Sequence, residues 1–103
     1  MYSVAPNTDY AYLVDEYIGE NYHRRIHLAG LAEELCLSER QVQRVIRASF
    51  GMSFCELLNA RRISVAERLA ATTNMTWEEI AAYVGFSTYS GFRRAWLREK
   101  QRG

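Results

Sequence analysis

The sequence predicts an all-α protein made of two similar helical lobes that a long helix joins. Three observations favour this fold class. Apolar residues recur at helical spacing throughout, and no segment shows the apolar–polar alternation of a strand. A helix-start signature occurs three times, and one helical segment is repeated. With 103 residues, of which 49% are apolar and one is proline, the chain can form a packed core, so wholesale disorder is excluded.

The helix boundaries follow from capping boxes, in which a Ser or Thr is followed three residues later by Glu or Gln. They occur at Ser38, Ser53 and Thr76, and Gly51 and Gly85 stand where helices should end. The predicted helices span residues 8–20, 28–36, 39–49, 54–72, 77–84 and 88–100. The first should bury Leu13, Val14, Tyr17 and Ile18 on one face. The predicted organisation is a disordered lead-in (1–8), a first lobe (9–52), a linker helix (53–73) and a second lobe (74–103).

The internal repeat has the layout of a helix-turn-helix. Residues 31–37 resemble residues 80–86, and residues 38–44 resemble residues 88–94 after one extra residue in the second turn. Each copy is a short helix, a turn and a longer helix. The small Ala32 and Ala81 should let the two helices of each copy cross closely. The longer helices should bury Val42, Val45 and Ile46 in the first copy, and Phe92, Ala95 and Trp96 in the second.

The polar residues left on the longer helices predict contact with double-stranded DNA. In the first copy they are Arg40, Gln43, Arg44 and Arg47, at the i, i+3, i+4, i+7 spacing of one helical face. In the second they are Tyr89, Ser90, Arg93 and Arg94. Arginine pairs with guanine and glutamine with adenine in the major groove, and the helix starts at Ser38 and Thr88 suit phosphates. The 19-residue linker, about 28 Å long, is close to the roughly 34 Å of one DNA turn.

The distribution of charge supports this prediction better than the net charge of +1 does. Residues 1–39 carry two bases and seven acids, whereas residues 40–103 carry eleven bases and five acids. Twelve of the thirteen bases are arginine. Genome composition alone could produce that bias, but arginines at equivalent places in both copies favour DNA contact.

Other functions find little support in the sequence. No apolar run is long enough for a membrane span, and no secretory signal pattern opens the chain, so we expect a cytoplasmic protein. His23 and His27 lack a third ligand at metal-binding spacing, so we expect no metal and no cofactor. Cys36 and Cys55 are predicted to be small packing residues. Because no nucleophile–base pair occurs, we expect no enzyme.

Three stretches resemble the DNA-binding domain of the AraC/XylS family of bacterial transcription regulators. They are LAEELCLSERQVQRVIRASFGMSF, LLNARRISVAERLA and WEEIAAYVGFSTYSGFRRAW, within a resemblance that covers about residues 10–98. It implies base reading by Arg40, Gln43 and Arg44 in the first lobe and by Tyr89, Ser90, Arg93 and Arg94 in the second. It also implies activation as the commoner outcome, with RNA polymerase or an N-terminal effector or dimerisation domain as possible partners.

The chain departs from the family pattern in three ways. It lacks the Gly-x-[Ser/Thr]-Pro segment and closing helix that usually follow the last recognition helix, so we expect a less completely packed second lobe. Gly91 stands within that recognition helix, at a cost of about 1 kcal/mol relative to alanine. No effector domain is present, so both a stand-alone regulator and an excised domain stay open. The alternative to DNA binding is a protein-interaction module on a degenerate helix-turn-helix fold.

Overall fold

Six helices account for most of the chain. The computed structural model describes the backbone of residues 6–102 and the side chains of residues 9–102, and this range contains no strand. The all-α prediction is therefore confirmed. The helices are α1 (Pro6–Asn21), α2 (Leu28–Leu35), α3 (Glu39–Phe50), α4 (Phe54–Thr72), α5 (Trp77–Tyr83) and α6 (Tyr89–Arg102).

The start of α1 differs from the prediction. The helix begins at Pro6, inside the segment expected to be disordered. Proline is well suited to a first helical position, since the amide hydrogen that it lacks would have no partner there. Residues 1–5 of the expected lead-in lie outside the described residues. On the predicted apolar face of α1, Val14 and Ile18 are buried, whereas Leu13 is exposed.

The three predicted capping boxes are all present. Ser38, Ser53 and Thr76 each accept a hydrogen bond at 3.1 Å from the backbone N–H three residues later. In return, the side-chain oxygens of Gln41, Glu56 and Glu79 accept from the capping residues' own N–H groups at 2.8–2.9 Å. These reciprocal bonds satisfy amides that a helix start leaves without partners, so they determine where α3, α4 and α5 begin.

The described residues divide into two compact units. Unit 1 comprises the part of the chain up to Asn21 together with Ile26–Leu57, and unit 2 comprises Tyr22–Arg25 together with the part from Leu58 onward. The linker helix α4 therefore contributes its first residues to unit 1 and the others to unit 2. In unit 1, α1, α2 and α3 contact one another. Its fully buried side chains are Val14, Ile18, Leu31, Val42 and Ile46.

Unit 2 packs α4, α5 and α6 around a second core. Its buried residues are Ile63, Ala66, Ile80, Ala81, Val84, Phe92 and Ala95. Trp96 and Phe86 pack against this core while partly exposed. Ala32 in unit 1 and Ala81 in unit 2 are both buried, as the close helix crossings require. Trp77, Tyr89 and Leu97 remain 38–54% exposed.

A buried arginine stabilises unit 2. Arg62 on α4 is 8% exposed. Its Nε donates to the carbonyl of Tyr22 at 2.7 Å, and its Nη2 donates to the carbonyl of Arg24 at 2.9 Å. The guanidinium also lies 5.3 Å from the ring centroid of Phe86, within the range of a cation–π interaction. These contacts explain why residues 22–25 belong to unit 2.

Three residues at or just after helix ends have a positive φ. Gly51 ends α3 with φ +69°, as predicted, and Gly85 follows α5 with φ +111°. Cys36 ends α2 with φ +58°. The prediction that Cys36 and Cys55 are packing residues was wrong, because both side chains are exposed. No helix in the described part of the chain is long and apolar enough to span a membrane.

Candidate nucleic-acid interface

The exposed face of α3 carries the polar side chains that the sequence placed there. The opposite face is buried through Val42, Val45 and Ile46, each 5% exposed or less. A 3.6-residue period then leaves the other side of the helix in solvent. That side, which we call the α3 arginine stripe, consists of Arg40, Gln43, Arg44 and Arg47, all exposed.

The α3 arginine stripe borders a groove of about 340 Å³. Ser53 and Phe54, at the start of α4, line it together with the stripe. Sequence reasoning identified Ser53 only as a cap and did not identify Phe54 as a groove residue, because their position beside α3 depends on the turn at Gly51. Within residues 9–102, no acidic side chain forms an ion pair with Arg40, Arg44 or Arg47. Their charge is therefore available to an anionic ligand.

The start of α3 adds backbone donors to this surface. Ser38 is the N-cap, and its side chain is engaged with the N–H of Gln41. The remaining first-turn amides point along the helix axis, where they favour negative charge. Ser38 is exposed, so this helix end is accessible from the same unit surface that carries Arg40.

The second copy has the same organisation on α6. Phe92 and Ala95 are buried, while Tyr89, Ser90, Arg93 and Arg94 are exposed. The ring of Tyr89 stacks on Phe92 with centroids 6.1 Å apart, which limits its freedom. Arg93 and Tyr89 also line an aromatic pocket of about 290 Å³ together with Trp77, Phe92, Trp96 and Leu97.

Gly91 proves to be less disruptive than its place in a recognition helix suggests. It is the third residue of α6, and its N–H donates to Thr88 Oγ1 at 2.9 Å. A Cβ at this position would lie 3.2 Å from the same hydroxyl, closer than an ordinary contact. The interior cost predicted for this glycine therefore overstates its effect, since it participates in the cap of α6.

The candidate metal ligands do not assemble. His27 precedes α2 and makes no side-chain capping bond, whereas His23 packs edge-on against Tyr22. No group of three or more His, Cys, Asp or Glu side chains able to hold a metal occurs among the described residues.

Comparison with known families agrees with this arrangement of two helix-turn-helix copies. Residues 31–102 match the family model of a helix-turn-helix domain of the AraC type. The chain belongs to this family. Among curated relatives, the AraC-type domain is 30% identical over 73 residues to the uncharacterised HTH-type transcriptional regulator YfiF of Bacillus subtilis. It is 26% identical over 86 residues to the probable transcriptional regulator LumQ of Photobacterium leiognathi.

The AraC-type domain spans only part of these relatives. The match covers 71% of this chain but 23% of YfiF, and 84% of this chain but 35% of LumQ. The chain therefore spans about a quarter to a third of the length of these two relatives.

Solved structures extend the similarity over nearly the whole AraC-type domain. The C-terminal domain of the two-component response regulator yesN from Fusobacterium nucleatum is 29% identical with a TM-score of 0.81, covering 90% of this chain and 97% of that one. The DNA-binding domain of AdpA, solved in complex with a target DNA, is 24% identical with a TM-score of 0.79, covering 93% and 83%. The similarity to AdpA is a similarity of fold.

Proposed function

We propose that the chain binds double-stranded DNA sequence-specifically, as the DNA-binding part of a bacterial transcription regulator. The observation that carries this proposal is the recurrence, in both copies, of one arrangement on α3 and α6. Each helix has a capped N-terminus, a buried apolar face and an exposed face with arginines. Membership of the AraC-type family supports the proposal, as does the fold shared with AdpA's DNA-binding domain.

On α3, we assign base reading to Arg40, Gln43 and Arg44. A guanidinium reaches O6 and N7 of guanine together, and a carboxamide reaches N6 and N7 of adenine. Each good pairing discriminates against a wrong base by about 1–3 kcal/mol. Arg47, one turn beyond Arg44, is assigned to phosphate, and the start of α3 at Ser38 to a second phosphate. Phosphate contacts fix the register in which the bases are read.

On α6, we assign base reading to Tyr89, Ser90, Arg93 and Arg94. Tyr89 is held against Phe92, and its ring could make an apolar contact with a thymine methyl group. The start of α6 at Thr88 is the equivalent of Ser38 and is assigned to phosphate. The two helices are proposed to enter successive major-groove segments on one face of the duplex.

The length of the linker helix α4 is proposed to determine how far apart on the duplex the two contacted segments lie. Its 19 residues correspond to about 28 Å, somewhat less than the roughly 34 Å of one DNA turn. A duplex that meets both recognition helices is therefore expected to bend, at a cost on the order of 1–6 kcal/mol. We further propose activation of transcription in the cytoplasm, with RNA polymerase or an N-terminal effector or dimerisation domain as protein partner.

Selection from random genomic duplexes tests the proposal directly. The protein is titrated against the duplexes at moderate salt, and the retained fragments are sequenced. We expect an asymmetric site with two short boxes about one turn apart. Recovery of one box would restrict base reading to one lobe. No enrichment would reject specific DNA binding in favour of the protein-interaction module.

Arg44 provides the sharpest test of base reading. Arg44→Ala should weaken binding to the selected site by about 5- to 150-fold, because a bidentate guanine contact is worth about 1–3 kcal/mol. Arg44→Lys is the matched control. It retains the charge but loses the planar pair of donors, so it should preserve non-specific affinity and lose most discrimination.

The equivalent substitution in the second lobe, Arg94→Ala, distinguishes two hypotheses. Either both lobes contact bases, or only the first lobe does. Arg94→Ala should cost as much as Arg44→Ala if both lobes read bases. Fluorescence anisotropy on the selected site and on a scrambled duplex measures both variants. A small loss for Arg94→Ala beside a large loss for Arg44→Ala would contradict the role of the second lobe.

A further inference from the structure

A groove with an acidic border lies on unit 1, between α1 and α2. Leu13, Glu16, Tyr17 and Glu20 of α1 and Glu34 and Leu35 of α2 line a space of about 230 Å³, which we call the acid-rimmed groove. The DNA-binding proposal uses none of these residues. The geometry points to a docking site for a basic amphipathic helix of a protein partner.

The apolar part of the groove runs along a helix face. The four α1 residues have the spacing i, i+3, i+4, i+7, so they form one stripe of about two turns, or roughly 10 Å. Leu13 is 38% exposed, and Tyr17 and Leu35 are half-buried. A partner helix lying along this stripe could place one or two apolar side chains against them, in the manner of helix-in-groove recognition.

The carboxylates of the groove favour a positively charged partner. Glu16, Glu20 and Glu34 are all exposed, and within residues 9–102 none of them forms an ion pair. Glu16 and Glu20 are four residues apart on one helix, a spacing at which like charges destabilise the helix. Lysine or arginine side chains on a bound helix would relieve that repulsion and pair with the carboxylates.

The acid-rimmed groove is separate from the α3 arginine stripe. The helix α3 contacts α1 and α2, and its buried face is formed by Val42, Val45 and Ile46. Its exposed stripe therefore faces away from the two helices that form the groove. Carboxylates repel phosphates, so DNA is not the occupant. A basic helix can bind here while the arginine stripe is engaged with DNA.

Binding of a designed peptide tests this proposal without knowledge of the natural partner. The probe is a synthetic Leu/Lys amphipathic helix of about four turns, compared with a Leu/Glu helix of the same pattern and with a Ser/Lys peptide. We expect only the Leu/Lys helix to bind the full chain, with amide shifts confined to α1 and α2 and an affinity that falls with salt. Equal binding of either control peptide, shifts on α3 or α6, or no binding at millimolar peptide would overturn the proposal.

Charge reversal in the groove provides the matched variants. E16K/E20K should weaken binding of the Leu/Lys peptide by about tenfold, since two exposed ion pairs are replaced by repulsion. D9K/E33K changes the net charge equally at exposed positions of the same two helices outside the groove, and it should change the affinity less than about threefold. Comparable losses in both variants would reject the groove in favour of overall charge.

Two further variants protect the test against misfolding and address the apolar part. E16Q/E20Q keeps side-chain size and should show an intermediate loss with an unchanged circular dichroism spectrum. Leu13→Ser should weaken binding, whereas Tyr12→Ser, at a 66% exposed position of α1 outside the groove, should not.

Sedimentation of the unmodified chain tests whether a second copy of this chain occupies the groove. A dimer that the E16K/E20K substitutions dissociate would contradict binding of a different protein. DNA affinity should be unchanged in the three groove variants E16K/E20K, E16Q/E20Q and Leu13→Ser.

Discussion

At the scale of single residues, Arg62 is the side chain on which unit 2 depends most visibly. Arg62→Met keeps much of the side-chain volume but leaves the carbonyls of Tyr22 and Arg24 without their charged donor. Hydrogen bonds to charged groups contribute about 1.5–3 kcal/mol, so we expect a loss of that order in the free energy of unfolding by urea. Arg68→Met, on the exposed side of the same helix, should change it by less than about 0.5 kcal/mol.

At Gly85, an added side chain would meet both an unfavourable backbone conformation and close contacts. Its φ is +111°, and a Cβ there would lie 2.8 Å from the carbonyl oxygen of Tyr22 and 3.1 Å from the guanidinium carbon of Arg62. We expect Gly85→Ala to lower the free energy of unfolding by at least about 2 kcal/mol. Gly51→Ala is the control, because φ is +69° there and nothing lies within 4 Å of the added Cβ. Its cost should be limited to about 1–2 kcal/mol of backbone strain, and an equal cost at both positions would refute the steric argument.

The arginines show which features of this protein can be predicted from sequence alone and which cannot. The exposure of Arg40, Arg44, Arg93 and Arg94 was predictable, because helical periodicity opposes them to buried apolar residues. The role of Arg62 was not, since its acceptors are backbone carbonyls 38 and 40 residues earlier in the chain. Every residue has a backbone carbonyl, so the pattern of side chains does not indicate which carbonyl accepts a hydrogen bond.

At the scale of elements, the three capping boxes explain why most helix boundaries could be predicted. Thr76→Val should remove the hydroxyl that accepts from Glu79 N–H and cost about 1 kcal/mol in thermal or urea unfolding. Thr76→Ser retains the oxygen and should cost much less. If both substitutions had the same effect, the stability at this site would come from packing of the β-branched side chain instead of the cap.

Helix starts without such local signals were harder to predict. The first helix was expected to start at residue 8 and starts at Pro6, because the sequence offers no capping box there. The acid-rimmed groove was also not predictable as a site. The sequence places Leu13, Glu16, Tyr17 and Glu20 on one face of α1, but which part of that face α2 covers depends on packing. Leu13 was expected in the core and instead lines the groove.

At the scale of the whole molecule, DNA affinity should depend strongly on salt despite a net charge of +1. Each phosphate that an arginine neutralises contributes about −0.9 to the slope of log K against log salt. Arg47→Ala should reduce that slope by about one and weaken all duplexes equally, as expected for a phosphate contact. Arg44→Ala should instead lower specific affinity more than non-specific affinity. Titrations at several salt concentrations with a selected and a scrambled duplex distinguish the two, and a sequence-dependent loss for Arg47→Ala would reassign it to base reading.

The order of the elements was predictable from the internal repeat, but the composition of the two units was not. In sequence order, residues 22–25 lie between α1 and α2, which both belong to unit 1, yet these four residues pack with unit 2. Along the sequence, the chain therefore contributes first to unit 1, then to unit 2, then again to unit 1, and finally again to unit 2.

This discontinuity limits how such a domain can be divided or exchanged. A fragment beginning at Leu58 would contain Arg62 without the carbonyls of Tyr22 and Arg24, which accept its hydrogen bonds. A segment that carried only the second half of the internal repeat would therefore lack part of unit 2. Recombination that replaced α6 together with its surroundings would have to preserve a four-residue segment encoded more than thirty codons upstream. If α3 and α6 bind DNA as proposed, a change in the sequence that they bind is therefore expected to arise by point substitution on these two helices.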